Sequence, residues 1–136
     1  MPARFHFALA PLLERRRLVE EEQQHRCAVR QRERGTSLEE MKSVVGALRA
    51  WTVASCSTPA AYCADLDAAI EAQRERLVTA EASLQRARND LIVARRERRA
   101  IETLRERRRR AFEQEEARRE ELDLDETNAR NRRAAR

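Results

Sequence analysis

The sequence predicts an all-α fold: a long antiparallel two-helix coiled coil, folded as a helical hairpin. Three observations predict it. Of 136 residues 39% are charged and only 4% aromatic, with two glycines and three prolines; a mixture dominated by Ala, Glu, Leu and Arg makes long helices, not a compact core. Leucine and alanine recur at heptad spacing through the second half of the chain. A polar cluster near the middle divides two helical stretches whose charges complement each other once the chain is folded back. Val, Ile, Thr, Tyr and Phe are scarce and never alternate over a run, which excludes β structure.

The first helix is expected from about Ala8 to Ala54. Leu9, Leu12 and Val19 begin it, and Leu38, Met41, Val45 and Leu48 carry its second half at 3-4 spacing. Between Glu20 and Arg34 it is almost wholly polar apart from Cys27. Gly35-Thr36-Ser37 followed by Glu39 and Glu40 resembles a capping box, so Gly35 marks a soft spot in an otherwise continuous helix. The turn falls at about 55–58, where Ser55-Cys56-Ser57-Thr58 precedes Pro59. Thr58 or Ser57 suits a cap, and Pro59 suits a first helical turn that needs no amide hydrogen.

The second helix is expected at about 59–128, because residues 60–136 contain neither glycine nor proline. At 1.5 Å per residue it would be roughly 100 Å long. Leu77, Leu84 and Leu91 recur every seven residues, and Ala80, Ala87, Ala94 and Ile101 continue the seam. Extended backwards the frame takes in Cys63, Leu66 and Ile70, and forwards it reaches Phe112. Arg98, Arg105 and Arg108 interrupt it, so packing should thin towards the C-terminus. A tail is expected at about 129–136, and the whole of 1–136 reads as one coiled-coil domain.

Folding back about residue 57 sets Leu48 against Leu66, Val45 against Ile70, Met41 against Gln73 and Leu38 against Leu77. The same fold brings Glu39 and Glu40 near Arg74 and Arg76, and Glu20, Glu21 and Glu22 near Arg95 and Arg96. Exposed pairs contribute only ~0.5 kcal/mol each, but they fix register and orientation.

No catalytic, metal or cofactor site is expected. His6 and His25 stand apart from any acid or cysteine at ligand spacing, and no Gly-rich phosphate loop, HExxH or GxSxG occurs. A two-helix hairpin also lacks the cavity that catalysis requires. The three cysteines, Cys27, Cys56 and Cys63, form no CxxC pair, which fits a reducing, cytoplasmic setting. Phe5 to Leu13 is apolar but too short and wrongly flanked for a signal peptide, and no stretch approaches the ~20 apolar residues that span a bilayer.

Charge is sorted into blocks. The net charge is +5, from 29 basic and 24 acidic residues, and Lys42 is the only lysine. Between Arg95 and Arg110 nine arginines stand against three glutamates; between Glu113 and Glu126 eight acids stand against two arginines. Four more arginines follow from Arg130 to Arg136. One reading is solvated helix faces; the other is a docking surface whose alternation of sign orients a partner. Nucleic acid fits less well, since the acidic block interrupts the basic one and aromatic stacking residues are missing. Trp51 and Tyr62 flank the turn, either as a plug for the hairpin tip or as anchors for a protein partner.

The opening Phe5-x-Phe7-x-Leu9-x-x-Leu12-Leu13-x-x-Arg16, the stretch Arg95-Arg96-Glu97-Arg98-Arg99 through Leu104, and the tail around Leu124-Asp125-Glu126 resemble FliJ-type flagellar export proteins over essentially the whole chain. The resemblance implies a non-enzymatic component of the bacterial flagellar type III export apparatus, cytoplasmic and peripheral at the inner face of the inner membrane. It implies a central stalk whose two chain ends enter the pore of a hexameric export ATPase and promote its assembly and hydrolysis. It also implies contact with the cytoplasmic part of the export gate membrane protein, and a link to substrate chaperones. The gate pattern falls on Tyr62, Leu66, Ala69 and Gln73, where Gln73 replaces the family's histidine and Leu66 is also claimed by the seam. For the ATPase ring the residues' own placement points to Phe5, Phe7, Leu9, Leu12 and Leu13, expected to face the region of Ile101, Leu104 and Phe112 as an apolar grip, with Arg107, Arg108, Arg109 and Arg110 towards acidic pore loops. The alternatives are the equivalent stalk of a virulence injectisome, a basic coiled-coil nucleic-acid adaptor, and a structural coiled coil that oligomerises through its C-terminal seam.

Overall fold

The computed structural model describes residues 4–54 and 60–135. Two long helices, α1 (Ala10–Ala54) and α2 (Ala60–Ala134), pack against each other as a helical hairpin. The expected turn at 55–58, with Cys56 and the cap at Thr58 or Ser57, lies outside the described residues. Packing divides into two compact units. One joins the residues up to Arg17 with those from Arg96 onward; the other comprises Leu18–Arg95.

Local chemistry explains why the helices form. Many charges have an opposite charge one turn away, among them Arg26 with Glu22, Arg30 with Glu33, Lys42 with Glu39, Arg74 with Glu71, Arg119 with Glu115 and Arg130 with Glu126. Each such pair adds about 0.2–0.5 kcal/mol to a helix. Thr36, Thr79 and Thr127 donate their hydroxyls to the carbonyls of Arg32, Glu75 and Asp123, which satisfies these polar groups within the helices. Ala8 and Leu9 form a turn that leads into α1, with the Ala10 amide donating to the Phe7 carbonyl at 3.0 Å. Pro11 follows in the first helical turn, where proline is tolerated.

Gly35 does not break α1. Its neighbour Thr36 bonds back into the helix through its hydroxyl, so the capping-box residues are used as helix interior. The C-terminal end needs correcting: there is no tail from 129, because α2 continues to Ala134. The Arg130–Glu126 pair, and Arg132 and Arg133 in the last turn beside the negative end of the helix dipole, carry it on.

In the Leu18–Arg95 unit the buried apolar residues are Leu84, Ala87, Leu91 and Ala94, all on the expected seam of α2. Cys63, Leu66, Ile70, Leu77 and Ala80 are half-buried on the same side. Across from them α1 turns inward at Glu20, Gln23, Cys27, Arg34, Leu38, Met41, Val45 and Leu48. The antiparallel register is fixed by Glu20–Arg95 at 3.5 Å, Arg34–Glu81 at 3.4 Å and Glu40–Arg76 at 3.9 Å. In the other unit Phe7 and Leu13 are buried, and from Glu113 onward nearly every residue is exposed. Packing thins where the arginines interrupt the seam.

Leu84 is 3% exposed and Val78 65% exposed on the same helix. Leu84→Ala is therefore expected to lower stability by about 2–3 kcal/mol, and Val78→Ala to change it by less than about 0.5 kcal/mol. A Cβ added at Gly35 would meet nothing within 4 Å, so Gly35→Ala should raise stability by about 0.5–1 kcal/mol. Thermal and urea unfolding followed by circular dichroism measure all three.

Candidate partner-binding surfaces

The row Tyr62, Leu66, Ala69 and Gln73 runs along α2 at steps of four, three and four, so it shares one helical face. That face is only partly open. Tyr62 is 44% exposed, whereas Leu66, Ala69 and Gln73 are half-buried. The Tyr62 ring packs against Trp51 of α1, centroids 5.5 Å apart and planes tilted by 56°. The two aromatics thus brace the helix pair, and Tyr62 still presents an edge outward. Leu66 belongs to the seam and to the row at once. The Gln73 side-chain oxygen is buried and accepts no hydrogen bond; such an oxygen costs more than an apolar atom in its place.

The second set of residues lies at the paired chain ends. Phe5 packs on Phe112 with centroids 5.7 Å apart. Phe7 is buried beneath Arg108, whose guanidinium carbon stands 5.9 Å from the ring centroid, a cation–π arrangement. Leu13 is buried and Leu9 half-buried, so these apolar side chains hold the N-terminal segment to α2. Leu12 alone of the five is turned outward, and Leu104 is likewise exposed. Ion pairs flank the apolar contacts: Arg16–Glu97 at 2.5 Å and Arg17–Glu102 at 3.4 Å.

The four arginines at this end are all exposed. Arg109 lies between Glu106 at 3.2 Å and Glu113 at 3.5 Å, and Arg110 meets Glu106 at 3.3 Å. Arg107 has no carboxylate within 4.0 Å among the described residues. The arrangement is an apolar clasp surrounded by guanidinium groups, suited to gripping an acidic protein surface through bidentate contacts.

Sequence reasoning set Glu20 near Arg95 but missed that it is buried, and it overlooked the inward Gln23. Glu20 is buried beside Arg95, and Gln23 has a buried side-chain oxygen that accepts no hydrogen bond. A signal for the first existed: Leu13, Glu20, Cys27, Arg34, Met41 and Leu48 stand seven residues apart, and a frame kept through polar positions finds them. Gln23 lines a solvent-open cleft of about 650 Å³ with Arg26, Arg30, Glu33, Ser83 and Asp90. Of the arginines that line it, Arg26 is engaged by Glu22, Arg30 by Glu33 and Arg86 by the Ala82 carbonyl. Among the described residues no group of three His, Cys, Asp or Glu side chains could hold a metal ion. Cys27 and Cys63 are free and half-buried.

The family model described as "Flagellar FliJ protein" matches residues 5–136. The chain belongs to the flagellar FliJ family. Membership makes it a component of the flagellar export apparatus, with partners in that apparatus, and FliJ-family proteins are non-enzymatic. No curated protein and no solved structure matches the chain. Among the described residues no helix is long and apolar enough to cross a membrane.

Trp51 is the only tryptophan and reports on its neighbour directly. Tyr62→Ala should shift its fluorescence to longer wavelength as the indole gains water, with helix content by circular dichroism unchanged. Gln73→Leu removes the unsatisfied oxygen and is expected to raise stability by about 1 kcal/mol, read as a higher urea midpoint.

Proposed function

We propose that the chain is the central stalk of the export ATPase: its paired ends enter the pore of the hexameric ring, promote ring assembly and raise hydrolysis. The observation that carries this reading is the unit formed by the two chain ends. Phe5, Phe7 and Leu13 bind the N-terminal segment to α2, which keeps the two strands of the stalk together without a bulky protrusion. Around them Arg107, Arg108, Arg109 and Arg110 stand exposed, a positive surface for acidic loops lining a pore. Phe5, Phe7, Leu9 and Leu13 act in this reading by shaping the inserted end, and Leu12 by touching the ring.

Tyr62, Leu66, Ala69 and Gln73 form the contact with the cytoplasmic part of the export gate membrane protein. The half-open face supports a contact centred on the Tyr62 edge, an aromatic anchor with a polar tip. Substrate chaperones are further partners. The protein acts in the cytoplasm, peripheral at the inner face of the inner membrane, held there by its partners.

Replacing Arg107, Arg108, Arg109 and Arg110 together by alanine tests the charge contribution to ring binding. At ~0.5 kcal/mol for each exposed pair, four losses amount to ~2 kcal/mol, roughly thirtyfold in affinity for the purified flagellar export ATPase. Stimulation of ATP hydrolysis should fall with it. Unchanged binding at low salt would remove the arginines from the interface, and a wild-type chain that neither binds nor stimulates the ATPase would remove the stalk reading itself.

A further inference from the structure

Within the unit that joins the residues up to Arg17 with those from Arg96 onward, two open leucines stand side by side. Arg108 covers Phe7, and Arg16 pairs with Glu97. Leu12 of α1 and Leu104 of α2 fall between these two contacts, at one level of the helix pair. They also share a side. Leu12 is four residues before Arg16 and Leu104 seven after Glu97, spacings that keep a helical face, and Arg16 and Glu97 touch at 2.5 Å. Leu12 is 37% exposed and Leu104 36%. Exposed Ala8, one turn before Leu12, and Ala100 and Ala111, one turn before and two turns after Leu104, extend the apolar patch.

Guanidinium groups border it. Arg15 lies three residues after Leu12, and Arg107 and Arg108 lie three and four after Leu104, all exposed. None of the three has a carboxylate within 4.0 Å among the described residues. The far side of the same level is of another kind. Two residues turn an α-helix by about 200°, so Glu14 faces away from Leu12, and Glu102 and Glu106 face away from Leu104. Those acids are taken up, Glu14 by Arg17, Glu102 by Arg98 and Arg17, and Glu106 by Arg109 and Arg110.

We propose that this side of the stalk end grips the ring through an acidic loop that carries one large apolar residue. That residue sits between Leu12 and Leu104, and the carboxylates around it meet Arg15, Arg107 and Arg108. The inference rests on the stalk reading and adds the chemistry of the loop. Charge selects the occupant, because cations without an intrachain partner border apolar carbon here while the acids of the far side are already paired. A desolvated centre with a polar rim is how interfaces concentrate their binding energy. The patch faces one way, so it engages loops on that side and not those facing Glu102 and Glu106.

Titration of the full chain against the purified flagellar export ATPase tests this. The variant L12A/L104A is expected to bind about tenfold more weakly than wild type at both ~0.1 M and ~0.5 M ionic strength, since an apolar contact is not screened. The variant R15A/R107A should weaken binding chiefly at the lower salt. Leu104→Met should bind as wild type does, and Leu104→Gln should bind as weakly as Leu104→Ala. Leu124→Ala, exposed farther along α2, should bind unchanged. Circular dichroism melts establish that each variant is folded. A wild-type chain that binds, with L12A/L104A binding equally well, overturns this contact and leaves the stalk reading in place; a wild-type chain that does not bind overturns both. A loss that vanishes at the higher salt overturns the apolar anchor. Sedimentation of the chain alone covers the other occupant: a wild-type dimer that L12A/L104A dissociates gives this face to a second copy and overturns the loop.

Discussion

The pairing of α1 with α2 depends on a narrow strip that is apolar on α2 from Leu84 to Ala94 and interrupted by polar side chains on α1. Leu84, Ala87, Leu91 and Ala94 of α2 are buried, and the α1 residues that turn towards this strip include Glu20, Gln23 and Cys27. Alanine at alternate seam positions lets the backbones approach, and burial of the leucines supplies the non-directional gain. Such a seam alone would tolerate sliding by a heptad. Glu20–Arg95 and Arg34–Glu81 remove that freedom, because a shifted register would bury Glu20 away from the Arg95 guanidinium. Leucine supplies stability here, and charge supplies the register.

That division of labour bears on the surfaces offered to partners. An apolar seam this thin has no residue to spare, so Leu66 and the half-buried Gln73 serve the helix pair as well as the row they belong to. Tyr62 is the member of the row with an exposed edge, and even it leans on Trp51. At the chain ends the same economy appears in another form. Phe7 is sheltered by Arg108, a side chain whose charge still faces outward, so one arginine both closes the packing and contributes to the positive surface. A partner reading these surfaces therefore meets groups already fixed by intrachain contacts, which lowers the entropy lost on binding.

The regular parts of the molecule were legible in the sequence because they obey one period. Leu77 to Ile101 keep the heptad, and the fold-back that pairs Glu40 with Arg76 and Glu20 with Arg95 follows from counting residues on either side of the polar cluster. What escaped obeys other rules. The inward Gln23, and the burial of Glu20 as distinct from its pairing with Arg95, were passed over by a search for apolar residues. The last turns of α2 have no seam to extend, and they are helical through the local Arg130–Glu126 pair and the arginines of the final turn. Phe5 and Phe7 precede α1, so no helical period orients them, yet folding the chain back set them against the region of Phe112, on which Phe5 packs; the Arg108 guanidinium over Phe7 was not legible. The row from Tyr62 to Gln73 was found by spacing, yet spacing says nothing of how far α1 covers it.

The two units differ in what holds their helices, and the difference follows from where leucine gives way to arginine. In Leu18–Arg95 tertiary burial does most of the work. From Glu113 onward α2 has almost no tertiary contact and rests on pairs such as Arg119–Glu115 and Arg119–Glu116. Each of these is worth only tenths of a kcal/mol and is weakened by salt. An isolated helix of that kind is marginal in water, so this segment sits at the low end of the local stabilities in the chain. Anything that binds it as a helix stabilises that helix and displaces few existing contacts. Charge sorted in blocks then sets which partner is admitted and in which direction it lies, and the thinness of the packing sets how tightly the segment's own stability is coupled to being bound.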